Sequence, residues 1–170
     1  KENKVVYGVT TGFGALATLV IPSESVKKLQ SNLIRSHSAG VGKPLDKDTT
    51  RALMVLRVNT LDKGFSGIEL HTLETLVQMI NKRVNPMIPE KGSVGASGDL
   101  APLAHMALVM VGEGEAEYNG KRMSGKEAME EAGITPVELD SKEGLALING
   151  TQLMTAIGTL AVYDAERLVK

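Results

Sequence analysis

The sequence contains no cysteine and no tryptophan, and its other aromatic residues are three tyrosines and two phenylalanines among 170 residues. The lack of cysteine excludes disulfides, thiolate nucleophiles and Cys-ligated metals, and it is typical of the cytoplasm, where we expect the protein. His37, His71 and His105 lie 34 residues apart, which excludes a local histidine-based metal site. A core with so few rings must be built from Leu, Val, Ile, Ala and Met, a composition that favours helices.

Neither sign of charge dominates, since the sequence contains 19 Lys and Arg and 20 Asp and Glu, which give a net charge of -1. This balance gives no basis for binding nucleic acid or an anionic membrane surface. The uncharged run 144–163 has the length of a membrane span. Its polar residues Asn149, Gly150, Thr151 and Gln152 indicate instead a helical segment buried inside a protein.

Hydrophobic periodicity and capping signals predict a mainly helical chain. Both ends lack the signals that begin or end a domain, so we expect residues 1–170 to be a fragment of a longer protein. The predicted helix starts are Pro22-Ser23, Asp46 or Asp48, about Gly67, and Asp99 as the N-cap of a helix over 100–111.

The remaining segments are predicted from turn chemistry. Asn119-Gly120 predicts a β-hairpin within 115–123, and Ser124 with Glu127 matches a capping box for a short helix. Ser141 is predicted to cap a final helical stretch that Asn149-Gly150 interrupts. Residues 5–21, rich in glycine and β-branched residues, and residues 86–98, with two prolines and three glycines, are predicted to be irregular.

The glycine-rich segment 92–98 is the first candidate for chemistry. Its Gly-x-x-Gly-x-x-Gly spacing is neither the dinucleotide fingerprint nor a phosphate-binding loop. A second interpretation uses the backbone of Ala96-Ser97-Gly98. The amide nitrogen of Gly98 can attack the carbonyl carbon of Ala96, and loss of two waters then leaves a 4-methylidene-imidazol-5-one, an electrophile that needs no added cofactor. Taken alone, this tripeptide strongly favours a flexible loop before a capped helix, because Ala-Ser-Gly is common by chance.

Three segments resemble the aromatic amino-acid ammonia-lyases, in the order in which that family carries them. They are Tyr7-Gly8-Val9-Thr10-Thr11-Gly12-Phe13-Gly14, the segment from Gly92 to Ala104, and Leu145-Ala146-Leu147-Ile148-Asn149-Gly150-Thr151-Gln152. The resemblance covers essentially all 170 residues. A fourth segment, Ser36-His37-Ser38-Ala39-Gly40-Val41-Gly42, is most similar to the histidine-specific branch, because phenylalanine-specific members usually carry an apolar residue at the position of His37.

The resemblance implies roles for individual residues. Ala96, Ser97 and Gly98 would form the electrophile, and Asp99 would orient that loop in addition to capping its helix. Tyr7 would be the base that removes a β-proton from the substrate, although tyrosine is a poor base in neutral water unless its site favours the phenolate.

Three further residues concern the substrate. The resemblance implies that His37 contacts the imidazole ring of histidine and that Asn149 binds the substrate or a group near the electrophile, with Gln152 in the same network. Structural roles compete with each of these: His37 also suits an apolar helix face, and a buried Asn149 needs partners of any kind.

The implied fold is mainly α, a helical bundle of the ammonia-lyase type with a Gly-rich N-terminal loop and a small β hairpin. The implied reaction is elimination of ammonia from L-histidine to give trans-urocanate, in histidine catabolism, by a cytoplasmic homotetramer with no metal. Residues 1–170 would be the N-terminal fragment, without the C-terminal helical part and inactive alone. Two alternatives remain: a phenylalanine or tyrosine ammonia-lyase or aminomutase with the same electrophile, and a non-catalytic helical module.

Overall fold

A computed structural model of the chain describes residues 5–95 and 98–169, in which the chain is mainly helical, as the sequence predicts. The α-helices are α1 (Val26–His37), α2 (Lys47–Leu61), α3 (Leu70–Lys82), α4 (Leu100–Met110), α5 (Gly125–Glu131), α6 (Glu143–Ile148) and α7 (Gln152–Val169). The strands are β1 (Val41–Pro44), β2 (Asn85–Pro86), β3 (Pro89–Lys91), β4 (Glu115–Tyr118) and β5 (Lys121–Ser124). Short 3-10 helices cover Gly14–Leu16 and Ser23–Ser25.

Helix α4 lies at the centre of the core. It packs against α1, α5, α6 and α7, and Leu103, Ala104, Met106, Ala107, Val109 and Met110 are fully buried. The helix carries no charged side chain, and this lets it be surrounded by other elements without burying a charge. Pro102 is compatible with the helix because amides of the first turn have no intrahelical partner.

Two predicted helix caps are confirmed. The Asp46 carboxylate begins α2 by accepting hydrogen bonds from the Thr49 amide at 2.8 Å and the Thr49 hydroxyl at 2.7 Å. These bonds hold the pKa of Asp46 below its usual range. At α5, Ser124 and Glu127 form the reciprocal capping box.

The predicted hairpin is also confirmed and is part of a larger sheet. Strands β4 and β5 pair antiparallel around Asn119-Gly120, both of which have positive φ, as a two-residue hairpin turn requires. Strand β2 pairs antiparallel with β4, and β3 pairs antiparallel with β1. The prediction that 86–98 contains no regular structure is therefore wrong at its start. These short strands depend on distant partners, which local composition does not reveal.

Two other predicted caps are wrong. Helix α4 begins at Leu100, but the Asp99 side chain makes no capping bond to it. Helix α6 begins after Lys142, which has a left-handed backbone, whereas the Ser141 hydroxyl donates to the carbonyl of Val9 at 3.1 Å. In both cases a tertiary partner takes the side chain that local sequence assigns to the helix.

The apolar stretch Glu143–Val169 has the length and mean hydropathy, 1.4, of a membrane-crossing helix. Its helical path is broken at 149–151, between α6 and α7. Gln152 and Leu153, directly after the break, are buried against the rest of the protein. The predicted burial of this run therefore holds for α6 and the start of α7, whereas α7 is mostly exposed after Ala156.

Half-buried His105 on α4 makes stability depend on pH. Its Nε2 atom accepts a hydrogen bond from the Gly40 amide at 3.1 Å, which requires an unprotonated Nε2. Burial lowers the pKa of His105 below its ordinary value of 6.5. Below pH 6.5 the unfolded chain therefore binds more protons than the folded chain. The contribution of neutral His105 to the free energy of unfolding is complete above about pH 6.5 and is lost as pH falls.

We therefore expect His105→Gln, which keeps a neutral acceptor, to flatten the fall in the free energy of unfolding between about pH 7 and pH 5. Urea denaturation at a series of pH values measures this, and His71→Gln, at an exposed histidine of α3, is the matched control. The same pH slope in His105→Gln and in the unsubstituted protein would contradict this role for His105.

Candidate active site

The segment after Gly95 leads into the central helix. Ala96 and Ser97, two of the three residues predicted to form the electrophile, lie outside the described residues. Gly98, the third, is buried with φ of +102°, and a Cβ at this position would lie 2.6 Å from the carbonyl oxygen of Gly150. Only glycine therefore fits where residue 98 meets the segment between α6 and α7.

Asp99 bonds to residues outside its own helix. The residue is fully buried, and its amide donates to the Gly150 carbonyl at 2.6 Å. One carboxylate oxygen accepts from the Ser93 hydroxyl at 2.5 Å and the other accepts from the Met154 amide at 3.0 Å. Met154 is the third residue of α7, so Asp99 places its carboxylate at the N-terminal end of that helix, where negative charge is favourable.

The break at 149–151 carries Asn149, a predicted substrate contact, and Gln152, predicted to lie in the same network, follows it directly as the first residue of α7. Asn149 is exposed, while its backbone carbonyl accepts a hydrogen bond from Arg57 at 3.2 Å. Gln152 is buried: its Oε1 accepts from Arg57 Nη1 at 2.8 Å, and its Nε2 donates to the Thr60 hydroxyl at 3.1 Å. Asn149 thus presents its side chain outward, whereas both ends of the Gln152 amide bond to α2.

Tyr7 lies on a turn that packs against the start of α6. Its side chain is exposed, its ring contacts Phe13 edge to face at 6.1 Å between centroids, and its hydroxyl oxygen accepts from the Gly14 amide at 3.4 Å. The turn is attached to the start of α6, since Gly8 packs against the side chain of Leu145 and the Ser141 hydroxyl binds the Val9 carbonyl.

His37 is the last residue of α1 and is half-buried. Its Nδ1 lies 2.9 Å from the Leu33 carbonyl oxygen and 3.1 Å from the Ser36 hydroxyl. Because a carbonyl can only accept, Nδ1 carries the proton in the neutral ring, and Nε2 is left as an acceptor. The chain then continues to Gly40, which packs directly against Gly92.

The four segments singled out in the sequence thus meet around α4, α6 and α7. The turn of Tyr7 contacts α6, the segment after His37 contacts Gly92, and Gly98-Asp99 bonds to Gly150 and Met154. Gly95 also lies near the sulfur of Met154. Segments separated by up to about 140 residues are therefore brought into one region.

Sequence reasoning missed the buried polar residues that hold α6 in place. Gln30 accepts from the Gly144 amide at 3.0 Å at the N-terminal end of α6, and Arg57 donates to the carbonyls of Ala146 and Asn149 at its C-terminal end. The sequence does contain a pattern that indicates burial of Arg57, because Arg57 lies four residues from both Leu53 and Leu61 on the buried face of α2.

Comparisons with known proteins identify relatives of the whole chain. The family model described as aromatic amino acid lyase matches residues 1–170. Over 170 residues the chain is 66% identical to a histidine ammonia-lyase of Alkaliphilus oremlandii. The match covers all of this chain and 34% of that protein. It is 64% identical over 169 residues to the histidine ammonia-lyase of Caldanaerobacter subterraneus, covering 99% of this chain and 33% of that protein. The chain spans about a third of the length of the curated relatives it matches.

Solved structures share the fold over almost the whole chain. Histidine ammonia-lyase from Trypanosoma cruzi superposes with a TM-score of 0.91 at 46% identity, covering 97% of this chain and 32% of that one. A phenylalanine aminomutase from Pantoea agglomerans gives a TM-score of 0.92 at 44% identity, with the same two coverages. From the match over its full length and from these relatives, the chain belongs to the aromatic amino acid lyase family.

Proposed function

We propose that this chain is the N-terminal third of a histidine ammonia-lyase, which eliminates ammonia from L-histidine without oxidation to give trans-urocanate in histidine catabolism. The observation that carries the proposal is the direct bonding of Gly98-Asp99 to Gly150 and Met154, which joins the electrophile segment to the Asn-Gly-Thr segment. Relatives named histidine ammonia-lyase at 59–66% identity support histidine as the substrate.

The electrophile in this proposal is the 4-methylidene-imidazol-5-one formed from Ala96, Ser97 and Gly98. The residues present suit it, because Gly98 has no room for a side chain and its neighbour Asp99 is held by a backbone hydrogen bond of 2.6 Å. Once formed, the group supplies an electrophilic carbon that binds the substrate through its amine or ring and makes nitrogen a better leaving group.

Tyr7 is the proposed base. Its side chain is exposed, and its hydroxyl oxygen accepts a hydrogen bond from the Gly14 amide, so the phenol is positioned and open to a substrate. The attachment of its turn to α6 holds it beside the segment that carries Asn149. A phenolate at this position would take the β-proton of the substrate.

His37 and Asn149 are the proposed substrate contacts. With its Nδ1–H directed to the Leu33 carbonyl, His37 offers Nε2 to an N–H donor such as the imidazole N–H of histidine. The exposed side chain of Asn149 is available for a polar group of the substrate, while its carbonyl is held by Arg57. Asp99 uses both carboxylate oxygens in the fold, so its proposed role is to orient the electrophile loop.

The proposed working form is a cytoplasmic homotetramer of the full-length chain. Helix α7 supports further assembly, because much of its apolar surface is exposed, including Ile157, Val162, Tyr163 and Leu168. Such a surface is costly in water and favours a covering partner. We expect the 170-residue chain alone to be inactive, so the tests of activity below use the full-length enzyme.

Replacing Tyr7 by phenylalanine removes the proposed base and keeps the ring that packs on Phe13. We expect kcat for histidine to fall by about 10²- to 10⁴-fold, the usual contribution of a general base, with little change in KM. Steady-state urocanate formation measures both parameters. Tyr118→Phe, in strand β4, is the control for loss of a phenol hydroxyl. A kcat for Tyr7→Phe close to that of Tyr118→Phe would remove Tyr7 from the mechanism.

Replacing His37 by leucine tests the substrate. Loss of one hydrogen bond to the substrate ring, about 1.5–3 kcal/mol, should lower kcat/KM for histidine by about 10- to 150-fold, while phenylalanine is used better than before. His71→Leu, at an exposed histidine of α3, is the matched control. Unchanged preference for histidine in His37→Leu would contradict the assignment. Wild-type turnover of phenylalanine or tyrosine in place of histidine would favour the alternative lyase or aminomutase.

A further inference from the structure

Arg57 is a buried cation that the proposed mechanism does not use. Only 1% of its surface is exposed, and burial lowers the pKa of its guanidinium to about 10. Its hydrogen-bond partners within residues 5–95 and 98–169 are neutral oxygens: the carbonyls of Ala146 and Asn149 and the side chain of Gln152. A cation buried without a carboxylate is costly, so its position calls for a structural reason.

The oxygens that Arg57 binds all flank the break between α6 and α7. The carbonyls of Ala146 and Asn149 lie at the C-terminal end of α6, where carbonyls lack helical partners and where positive charge is favourable. Gln152 is the first residue of α7, and it also binds Thr60, one turn after Arg57 on α2. One guanidinium therefore joins the end of one helix to the start of the next.

Gly150 lies directly between Arg57 and the electrophile segment. A Cβ at Gly150 would lie 2.2 Å from Arg57 Nη1 and 2.1 Å from Gln152 Oε1, so its backbone rests against this network. On its other side, the Gly150 carbonyl oxygen accepts a hydrogen bond from the Asp99 amide at 2.6 Å and lies 2.6 Å from where a Cβ of Gly98 would be. Gly150 is thus the single residue that lies between Arg57 and Gly98.

We propose that Arg57 is a positioning residue for formation of the electrophile: it fixes Gly150, whose carbonyl holds the Gly98-Asp99 peptide in the geometry needed for ring closure. This inference rests on the proposed function. Arginine suits the task because its planar fork reaches several oxygens at once, whereas lysine presents a single ammonium.

The ring-closing reaction requires no oxidant or reductant. The Gly98 nitrogen forms a bond to the Ala96 carbonyl carbon, and the Ala96 oxygen leaves as water with the amide hydrogens of Gly98 and Ser97. The Ser97 hydroxyl then leaves as a second water with the Ser97 α-hydrogen, which creates the exocyclic double bond. The product is lighter by two waters, so the extent of the reaction is read from mass, independently of activity.

The experiment compares full-length wild-type enzyme with Arg57→Gln and Arg57→Lys. Arg51→Gln is the matched control, since Arg51 is on the same helix and donates to the Ile80 carbonyl at 3.1 Å, away from the break. Intact mass gives the fraction of chains lacking two waters, and thermal unfolding gives stability.

We expect Arg57→Gln to reduce the dehydrated fraction about tenfold or more, because small misplacements of reacting groups slow intramolecular reactions strongly. Arg57→Lys should fall between Arg57→Gln and wild type, and Arg51→Gln should be fully dehydrated. If Arg57→Gln does not fold, Arg57→Lys decides the question.

Two results would overturn the inference: full dehydration of a folded Arg57 variant, or an equal loss of dehydration in Arg51→Gln at matched stability. Wild-type enzyme that is itself not dehydrated would overturn the proposed function instead. The two failures are therefore distinguishable.

Discussion

The bond between the Asp99 amide and the Gly150 carbonyl is the contact on which the rest of the site depends. It crosses from the start of the central helix α4 to the break between α6 and α7 at 2.6 Å, and it requires that both Gly98 and Gly150 lack a side chain. The buried Asp99 carboxylate extends the same contact to Met154 at the start of α7. Three helices are thereby fixed relative to one another at one point.

Polar groups at helix ends provide the electrostatic basis of this arrangement. A carboxylate lies at the N-terminal end of α7, a guanidinium lies at the C-terminal end of α6, and the Gln30 amide oxygen accepts at the N-terminal end of α6. Each group is placed where the backbone of the helix has unpaired donors or acceptors. The irregular backbone at 149–151 is stabilised because the Arg57 side chain and the Asp99 amide bond to the carbonyls of Asn149 and Gly150. The same irregularity leaves Asn149 exposed.

Local sequence predicts the elements whose stabilising contacts are themselves local. The Asp46 cap, the Ser124 capping box and the Asn119-Gly120 turn each involve residues at most four apart, and each is confirmed. Strands β2 and β3 and the partners of Asp99 and Ser141 were missed because their partners lie far along the chain. The candidate site combines both cases. Resemblance to a family identified its segments, whereas Arg57, which links two of them, became apparent only from the fold.

The central claim is that this helical core holds Ala96-Ser97-Gly98 for conversion into an electrophile. The most direct test is the mass of the intact full-length protein, followed by fragmentation of the tryptic peptide that spans residues 92–121. The account predicts a chain lighter by two waters, with the whole deficit within residues 96–98. A full-length protein of unmodified mass would contradict it and would leave a helical module without the proposed chemistry.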